Sequence, residues 1–216
     1  NGFLTQEGYW TGLNEIKPPV RLQFSPYMSV YANHFPSGSK EISNWSSQIN
    51  GGLDLKFGIS QAYTLDAILI PDFGQVQSDN IVLNLSPYEM FYNENRPFFT
   101  EGTELFNKAG IFYSRRVGNT PGGYYDALSL AVDSGYTILK NPSLTQLYNA
   151  TKFSGRTEKG LGIGIFNAVT APMYATFKDD KGNKIEYQTE PLANYNIIVL
   201  DQSLKNRSSI TFTNTN

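Results

Sequence analysis

The strongest constraint on the fold is a two-residue alternation of apolar and polar side chains. In residues 52–60 (GLDLKFGIS), every odd-numbered residue is large and apolar, and every even-numbered residue is small or polar. Residues 21–31 repeat the pattern, and Pro26 within them favours an edge or an early strand position. Because successive side chains of a β-strand point to opposite faces, each segment predicts a strand with one apolar and one polar face.

Most of the remaining chain predicts strands of the same kind. Residues 63–70 follow residues 52–60 across a short connection, which indicates a hairpin. Polar turns are expected at residues 157–160 (TEKG) and 179–183 (DDKGN). Helical periodicity is weak and is confined to residues 126–131. The further strand-like segments are residues 147–156, 161–177, 184–189, 194–204 and 209–216.

The polar strand faces distinguish two classes of antiparallel β protein. A soluble sandwich usually has a charged outer face, whereas these polar positions are mixed with Gly, Ser, Asn and Thr, as in a polar barrel lumen. Aromatic side chains also fall near the predicted strand ends, which is typical of an interfacial girdle. These features favour a transmembrane β-barrel over a soluble sandwich. The aromatic residues concerned are Tyr27, Tyr31, Tyr63, Phe166, Tyr174, Tyr187 and Tyr195.

An irregular insertion interrupts this meander. We expect residues 1–70 to form the first barrel strands and residues 147–216 to form further strands, with the chain stopping before barrel closure. Residues 71–146 lack sustained alternation and are rich in charged, aromatic and helix-breaking residues. The predicted fold is therefore all-β, an antiparallel meander forming part of a transmembrane barrel, with the insertion folded into the lumen as a plug.

A charged network is predicted within the insertion. A buried charge without a partner is costly, so equal numbers of carboxylates and guanidinium groups indicate ion pairing. Binding of a ligand is a second interpretation, and glycosidase-type catalysis by two carboxylates is a third. We take six residues as candidate binding residues and expect no catalytic residue, metal or cofactor. They are Glu94, Arg96, Glu101, Glu104, Arg115 and Arg116.

Three glycines alternate on one strand, at Gly160, Gly162 and Gly164. The spacing resembles a phosphate-binding loop, but such a loop lies between a strand and a helix, and no helix is predicted here. A stripe without side chains lets another segment approach closely. We therefore expect the insertion to pack on these glycines.

Composition excludes several classes of site. The net charge is -2, with 17 basic and 19 acidic residues interspersed, which argues against a nucleic-acid partner. The absence of cysteine excludes disulfides and thiolate metal sites. His34 is the only histidine and is expected at a strand end rather than in a catalytic site. Asp72 and Asp79 are expected to stabilise a turn rather than to hold a cation.

Several ordered motifs across nearly the whole chain resemble one known family. They are residues 71–79 (PDFGQVQSD), 84–89 (NLSPYE), 95–102 (NRPFFTEG) and 112–118 (FYSRRVG), with further matches at 16–22, 51–56, 162–170 and 194–202. The chain is similar to the uncharacterised outer-membrane β-barrel family of Gram-negative bacteria in which the barrel follows an N-terminal family 9 carbohydrate-binding-like domain. The resemblance implies the N-terminal part of a large barrel and supplies no catalytic residue.

From this resemblance we expect an outer-membrane protein acting in transport, docking or assembly rather than an enzyme. Its partners would be outer-membrane lipid, other envelope proteins and, through the upstream domain, glycan. The alternative is a soluble secreted carbohydrate-binding or glycoside-processing β-domain, in which aromatic side chains stack on sugars. A structural role in a larger envelope complex is also open. The aromatic residues for sugar stacking would be Trp10, Trp45, Tyr124 and Tyr125.

Overall fold

The computed structural model describes residues 19–34, 45–71, 91–108, 110–206 and 208–216. In these ranges the helices are α1 (Pro97–Thr100) and α2 (Tyr124–Ser134), and a 3-10 turn spans Ser114–Arg116. The strands are β1 Leu22–His34, β2 Trp45–Gly58, β3 Tyr63–Leu69, β4 Thr137–Lys140, β5 Leu147–Arg156, β6 Leu161–Thr170, β7 Met173–Lys178, β8 Lys184–Glu190, β9 Ala193–Ser203 and β10 Ser209–Thr215.

Seven strands form one antiparallel sheet in the order β1-β2-β3-β5-β6-β9-β10. Short connections at residues 59–62, 157–160 and 204–208 join three pairs of neighbours at one end of the sheet. Among the described strands, β1 and β10 are the two edges, so this part of the chain is an open sheet. The predicted antiparallel, mostly β fold is confirmed.

The two faces of this sheet differ in chemistry. We call the face that contacts residues 91–108 and 110–117 the inner face and the opposite one the outer face. The outer face carries apolar side chains that stay exposed: Phe24 is 62%, Met28 is 76% and Ile49 is 72% exposed. The registers place the alternate residues of every strand there, including Ile165 opposite Ile198. The predicted division of β1 into apolar and polar faces is therefore present.

The main core lies on the inner face. Phe166 of β6 and Val199 of β9 are 2% and 0% exposed, and they pack with Phe99, Leu105 and Phe106 from the insertion. Alternate positions of the same strands are thus buried on one face and exposed on the other. The core of this part of the protein exists because a chain segment covers the inner face.

The structure also contains a second, smaller sheet of three strands. β4, β7 and β8 pair antiparallel, and α2 packs on them through Ala127 and Ala131. These alanines lie four residues apart on one helix face and meet the buried Ala175 and Phe177. The helix ends in a Schellman motif, in which Gly135 has a φ of 69° and Tyr136 N–H donates to the Ala131 carbonyl.

The structure corrects two sequence predictions. Residues 161–177 were expected to form one strand, but β6 ends at Thr170 and β7 begins at Met173 in the other sheet. Pro172 lies between them and has no N–H to donate to a ladder, so the pairing is interrupted there. The insertion was expected to be irregular, but it also contains α2 and β4, because the short apolar face of the helix finds a sheet to cover.

Candidate functional site between the inner segment and the sheet

The candidate site is formed where residues 91–108 and 110–117, which we call the inner segment, meet the inner face of the sheet. Aromatic side chains hold the two together. The ring centroid of Phe166 lies 5.3 Å from that of Phe112, 6.1 Å from that of Phe99 and 6.3 Å from that of Phe106. Such offset and edge contacts are favourable for aromatic pairs. Phe166 therefore anchors the inner segment to β6.

The girdle interpretation of the aromatic residues is wrong for several of them. Phe166 is 2% exposed in the core, and the registers put Tyr27 and Tyr195 on the inner face. Tyr174 and Tyr187 lie in the smaller sheet. Strand-end position alone did not reveal which face each ring occupies, because a shift of one residue reverses the face.

The glycine stripe permits the close approach of the inner segment, as predicted from the sequence. A Cβ added at Gly162 would lie 2.7 Å from Leu105 Cδ2, and one added at Gly164 would lie 3.1 Å from Phe106 Cε1. Gly160 instead lies in the turn before β6, with a φ of 84°. The prediction that the insertion packs on this stripe is confirmed for Gly162 and Gly164.

We expect Gly164→Leu to lower the free energy of unfolding by about 1–3 kcal/mol, because the new side chain would displace Phe106 from a packed site. The hydrogen-exchange rate of residues 91–117 should rise in the same variant. Mass spectrometry of hydrogen exchange at increasing denaturant concentration measures both this rate and the free energy of unfolding. Gly51→Leu is the matched control, since an added Cβ there meets only the Tyr27 carbonyl oxygen, at 3.7 Å. Equal effects of the two substitutions would contradict this role of the stripe.

Arg96 organises the start of the inner segment. Its Nε and Nη2 donate to the two carboxylate oxygens of Glu94 at 2.8 and 2.7 Å. Its Nη1 donates to the Val117 carbonyl at 2.6 Å, and Nη2 also donates to the Ser114 carbonyl at 2.8 Å. The guanidinium carbon lies 4.2 Å from the centroid of the Phe99 ring. This buried fork therefore joins both ends of the segment, which a lysine would not reproduce.

Glu94 is the partner that compensates this buried cation. Burial alone would raise its pKa, but hydrogen bonds from Arg96 and Ser114, together with the Arg96 charge, hold the pKa below its usual value. Ser114 Oγ donates to Glu94 Oε2 at 2.6 Å. Glu94 therefore remains ionised at neutral pH, and this arrangement stabilises the folded segment until the pH falls through its lowered pKa.

A second ionic cluster ties the inner segment to three strands. Asp201 of β9 is fully buried, and its Oδ2 accepts hydrogen bonds from Lys108 Nζ at 2.6 Å and Arg156 Nη2 at 2.5 Å. Thr211 Oγ1 of β10 donates to the other oxygen at 2.6 Å. Glu104 lies 3.3 Å from Arg156 at the exposed side of the cluster. One buried carboxylate thus connects the inner segment with β5, β9 and β10.

A third cluster lies on the β2, β3 and β5 side. Lys152 is 2% exposed, and its Nζ donates to the carbonyl oxygens of Phe98 and Glu101 at 2.6 and 2.5 Å. Asp66 Oδ2 lies 3.6 Å from the same nitrogen. Lys56 donates to the Glu101 carboxylate at 2.5 Å and holds the Glu101 pKa below its usual value. Lys152 of the sheet therefore binds the main chain of the inner segment, and Lys56 binds its Glu101 side chain.

The six candidate residues do not form one closed network. Glu94 pairs with Arg96, but Glu101 pairs with Lys56 and Glu104 with Arg156 and Lys108. Arg115 and Arg116 lie on the 3-10 turn, with the Arg116 guanidinium 5.8 Å from the Tyr113 ring. Apart from Lys108 of the inner segment, the partners missed from the sequence are charged residues at inward strand positions. In the sequence, these strand residues can be recognised as charges on the strand face opposite the apolar residues. They are Lys56, Asp66, Lys152, Arg156 and Asp201.

The remaining candidates from the sequence are a histidine, a pair of tyrosines and several residues outside the described ranges. His34 is exposed at the end of β1, which fits the expected position. Tyr124 and Tyr125 contact each other edge to face at the start of α2, so their rings do not form one flat surface. Trp10, Asp72 and Asp79 lie outside the described residues, as does the side chain of Trp45. No group of three or more His, Asp or Glu residues suited to a metal occurs within the described ranges.

No helix in the described part of the chain is long and apolar enough to span a membrane. No curated protein and no solved structure matches the chain. One family model does match, over residues 18–216, and it is described as a domain of unknown function, DUF5916. The matched range contains every strand of the larger sheet, the inner segment and the three ionic clusters that join them. The chain therefore belongs to the DUF5916 family.

Proposed function

We propose that this chain forms part of the wall of an outer-membrane β-barrel of a Gram-negative bacterium, with the inner segment as its plug. The proposed role is non-enzymatic: passage, docking or assembly at the outer membrane. The observation that carries the proposal is the exposed apolar outer face of the seven-stranded sheet. Membrane lipid is the partner that this face fits, and any glycan contact would come through a domain outside this chain.

The outer face has the chemistry of a lipid contact. None of the outward positions of the described strands in the larger sheet carries Asp, Glu, Lys or Arg. Exposed Val30, Ile210 and Phe212 extend the apolar surface to both edge strands, at 63%, 66% and 58% exposure. An apolar area of this extent is unfavourable in water and is satisfied by hydrocarbon. The apolar part of β1, residues 22–30, has about the length that a tilted strand needs to cross a bilayer.

The inner face has the chemistry of an occupied lumen. It carries Lys56, Asp66, Lys152, Arg156 and Asp201, all engaged with the inner segment or with each other. Polar interiors partly filled by a folded segment are typical of outer-membrane barrels. The glutamates considered as catalytic acids are held in ion pairs, which supports a structural role for them. These contacts support the assignment of the inner segment as a plug.

The connections also differ between the two ends of the sheet. Residues 59–62, 157–160 and 204–208 are short and lie at one end, whereas the connection from β3 to β5 and that from β6 to β9 leave the other end. Outer-membrane barrels have short periplasmic turns and longer extracellular loops. We therefore assign the short-turn end to the periplasm, and the inner segment enters from the extracellular side.

Site-directed spin labelling of the full-length protein in lipid vesicles tests the proposal. This chain has no cysteine, and any cysteine elsewhere in the full-length protein is first replaced by serine. Single labels at Phe24→Cys and Ile165→Cys then report the outer face, and Thr64→Cys reports the inner face. We expect the outer labels to collide with oxygen and to be protected from a water-soluble nickel chelate. Asp180→Cys, in an exposed turn, is the aqueous control.

Two outcomes would overturn the proposal. Outer labels as accessible to the nickel chelate as the Asp180 label would place that face in water. A full-length protein that stays monodisperse without detergent would also contradict a lipid contact, and both results together would favour the soluble carbohydrate-binding alternative.

A further inference from the structure

We propose that a group of outward asparagine side chains, which we call the amide band, binds lipid head groups at the extracellular surface of the membrane. The group lies on β5, β6, β9 and β10, toward the end of the sheet opposite the short turns. The inference rests on the proposed function, which supplies the bilayer, and it adds the line along which the bilayer surface crosses the sheet. The members of the amide band are Asn149, Asn167, Asn194, Asn196 and Asn214.

The registers put all five amides on the outer face. Ile165 and Ile198 lie opposite each other on this face, and Asn167 and Asn196 are the next outward residues of the same two strands, also opposite each other. On β6 and β9 the outward surface therefore changes from apolar to amide within two residues. The other members share the face by register: Asn149 and Asn194 both pair with Val169, and Asn214 pairs with Ile198.

The chemistry of the amide band fits head groups rather than acyl chains. Asn167 Nδ2 donates to Asn194 Oδ1 at 2.6 Å and to Asn196 Oδ1 at 2.8 Å, so three of the amides form one hydrogen-bonded group. The Nδ2 groups of Asn194 and Asn196 supply further N–H donors. Phosphate and hydroxyl oxygens of lipid head groups accept such bonds, whereas hydrocarbon offers no acceptor and makes an outward amide costly.

The exposed apolar surface ends at a different height on each strand. On β1 and β2 its last outward residues are Val30 and Ile49, which pair with each other. On β6 and β9 its last outward residues are Ile165 and Ile198, directly before the amide band. Val169 lies further along β6 but is only partly exposed. The boundary between apolar and polar residues therefore does not follow one row of paired residues.

The slope of this boundary is the second observation that points to a membrane surface. Through the registers of β5 and β3, the row of Ile165 reaches Phe57 on β2, about eight residues from Ile49. On β10 the boundary lies about two residues further, at Phe212, which pairs with Leu200. This total shift is about 33 Å along the strands over about 24 Å across them. The boundary is thus inclined by roughly 50° to the rows, near the strand tilt of about 35–45° in outer-membrane barrels, whose tilted strands cross a flat bilayer surface at different residues.

Spin labels at two positions of one row test the inference. Leu53 on β2 and Asn194 on β9 belong to a row that runs through Leu69, Asn149 and Val169. Strands parallel to the membrane normal would put both labels at one depth. We expect Leu53→Cys to lie in the hydrocarbon and Asn194→Cys to lie at the head groups, about 14 Å away along the membrane normal, because four strand spacings separate them on a tilted sheet.

The measurement uses the full-length protein in phosphatidylcholine vesicles that contain a lipid with a nickel-chelating head group. Nickel held at the head groups should increase the spin relaxation rate of the Asn194 label at least threefold more than that of the Leu53 label. Asn214→Cys, outside the hydrogen-bonded group, is a second amide-band position that keeps the inference testable if the Asn194 variant does not fold. The Asp180→Cys label remains the aqueous control, read with the water-soluble nickel chelate.

The outcomes separate this inference from the proposed function. Equal relaxation of the Leu53 and Asn194 labels would overturn the inclined boundary, and the barrel wall would still stand if both labels were protected from the soluble chelate. Amide-band labels as accessible as the Asp180 label, and unaffected by head-group nickel, would overturn the head-group contact. Labels at both Leu53 and Phe24 that were open to the soluble chelate would contradict the barrel wall itself, and the inference with it.

Discussion

We expect Arg96→Met to lower the free energy of unfolding by about 3–5 kcal/mol, because it leaves the Glu94 carboxylate buried without its cation. The substitution also removes donors from the carbonyls of Ser114 and Val117, which join the two ends of the inner segment. Hydrogen exchange of residues 91–117 should approach that of an unfolded chain at denaturant concentrations that leave β5 and β6 protected. Mass spectrometry of peptides from both regions measures the two effects in one experiment.

Two matched variants separate charge from geometry at this position. The double variant Arg96→Met with Glu94→Gln should recover part of the lost stability, because no uncompensated charge remains buried. Arg96→Lys keeps the charge but not the planar fork, and we expect it to fall between wild type and Arg96→Met. If Arg96→Met left the exchange of the inner segment unchanged, the network would not be what holds the segment together.

Removal of the Asp201 carboxylate should have the second large effect. Asp201→Asn keeps the shape but leaves Lys108 and Arg156 without their buried anion. Both cations are about a quarter exposed and retain Glu104 nearby, so we expect a loss of about 3 kcal/mol, at the lower end for a broken buried pair. The inner segment should also detach from β9, which exposes the bond after Lys108 to trypsin.

Limited proteolysis with trypsin, followed by mass spectrometry, measures this detachment. The rate of cleavage after Lys108 should rise in Asp201→Asn and stay at the wild-type value in Asp180→Asn, which removes a solvent-exposed carboxylate from the turn between β7 and β8. A rise of the same size in both variants would show that net charge, rather than the buried contact, controls the cleavage.

The sequence was sufficient to predict the sheet but not the contacts across it. Alternation predicted a strand at residues 147–156, and β5 has those bounds. The pattern works because it reports a local property, the direction of each side chain. The glycine stripe was interpretable for the same reason, since Gly162 and Gly164 mark a face on which something must approach closely.

The ion pairs required information that is not local. Glu101 meets Lys56 and Lys108 meets Asp201, pairs that are 45 and 93 residues apart in the chain. Their identity depends on the register of several strands and on the path of the inner segment, and a register change of one residue would reverse every face. Counting charges in the insertion therefore predicted that pairs would form, but it favoured partners within the insertion over those on the strands.

The shared hairpin of the two sheets has a consequence for folding fidelity. The pairing of β6 with β9 ends at Thr170 and Ala193. Two residues on each side separate it from the pairing of β7 with β8, which starts at Met173 and Glu190. Each gap contains a proline, Pro172 or Pro191. A slip of one residue in this hairpin would turn Phe166 out of one core and Phe177 out of the other. The packing of both hydrophobic cores therefore depends on one strand register, so a mispaired chain would lose buried contacts in both.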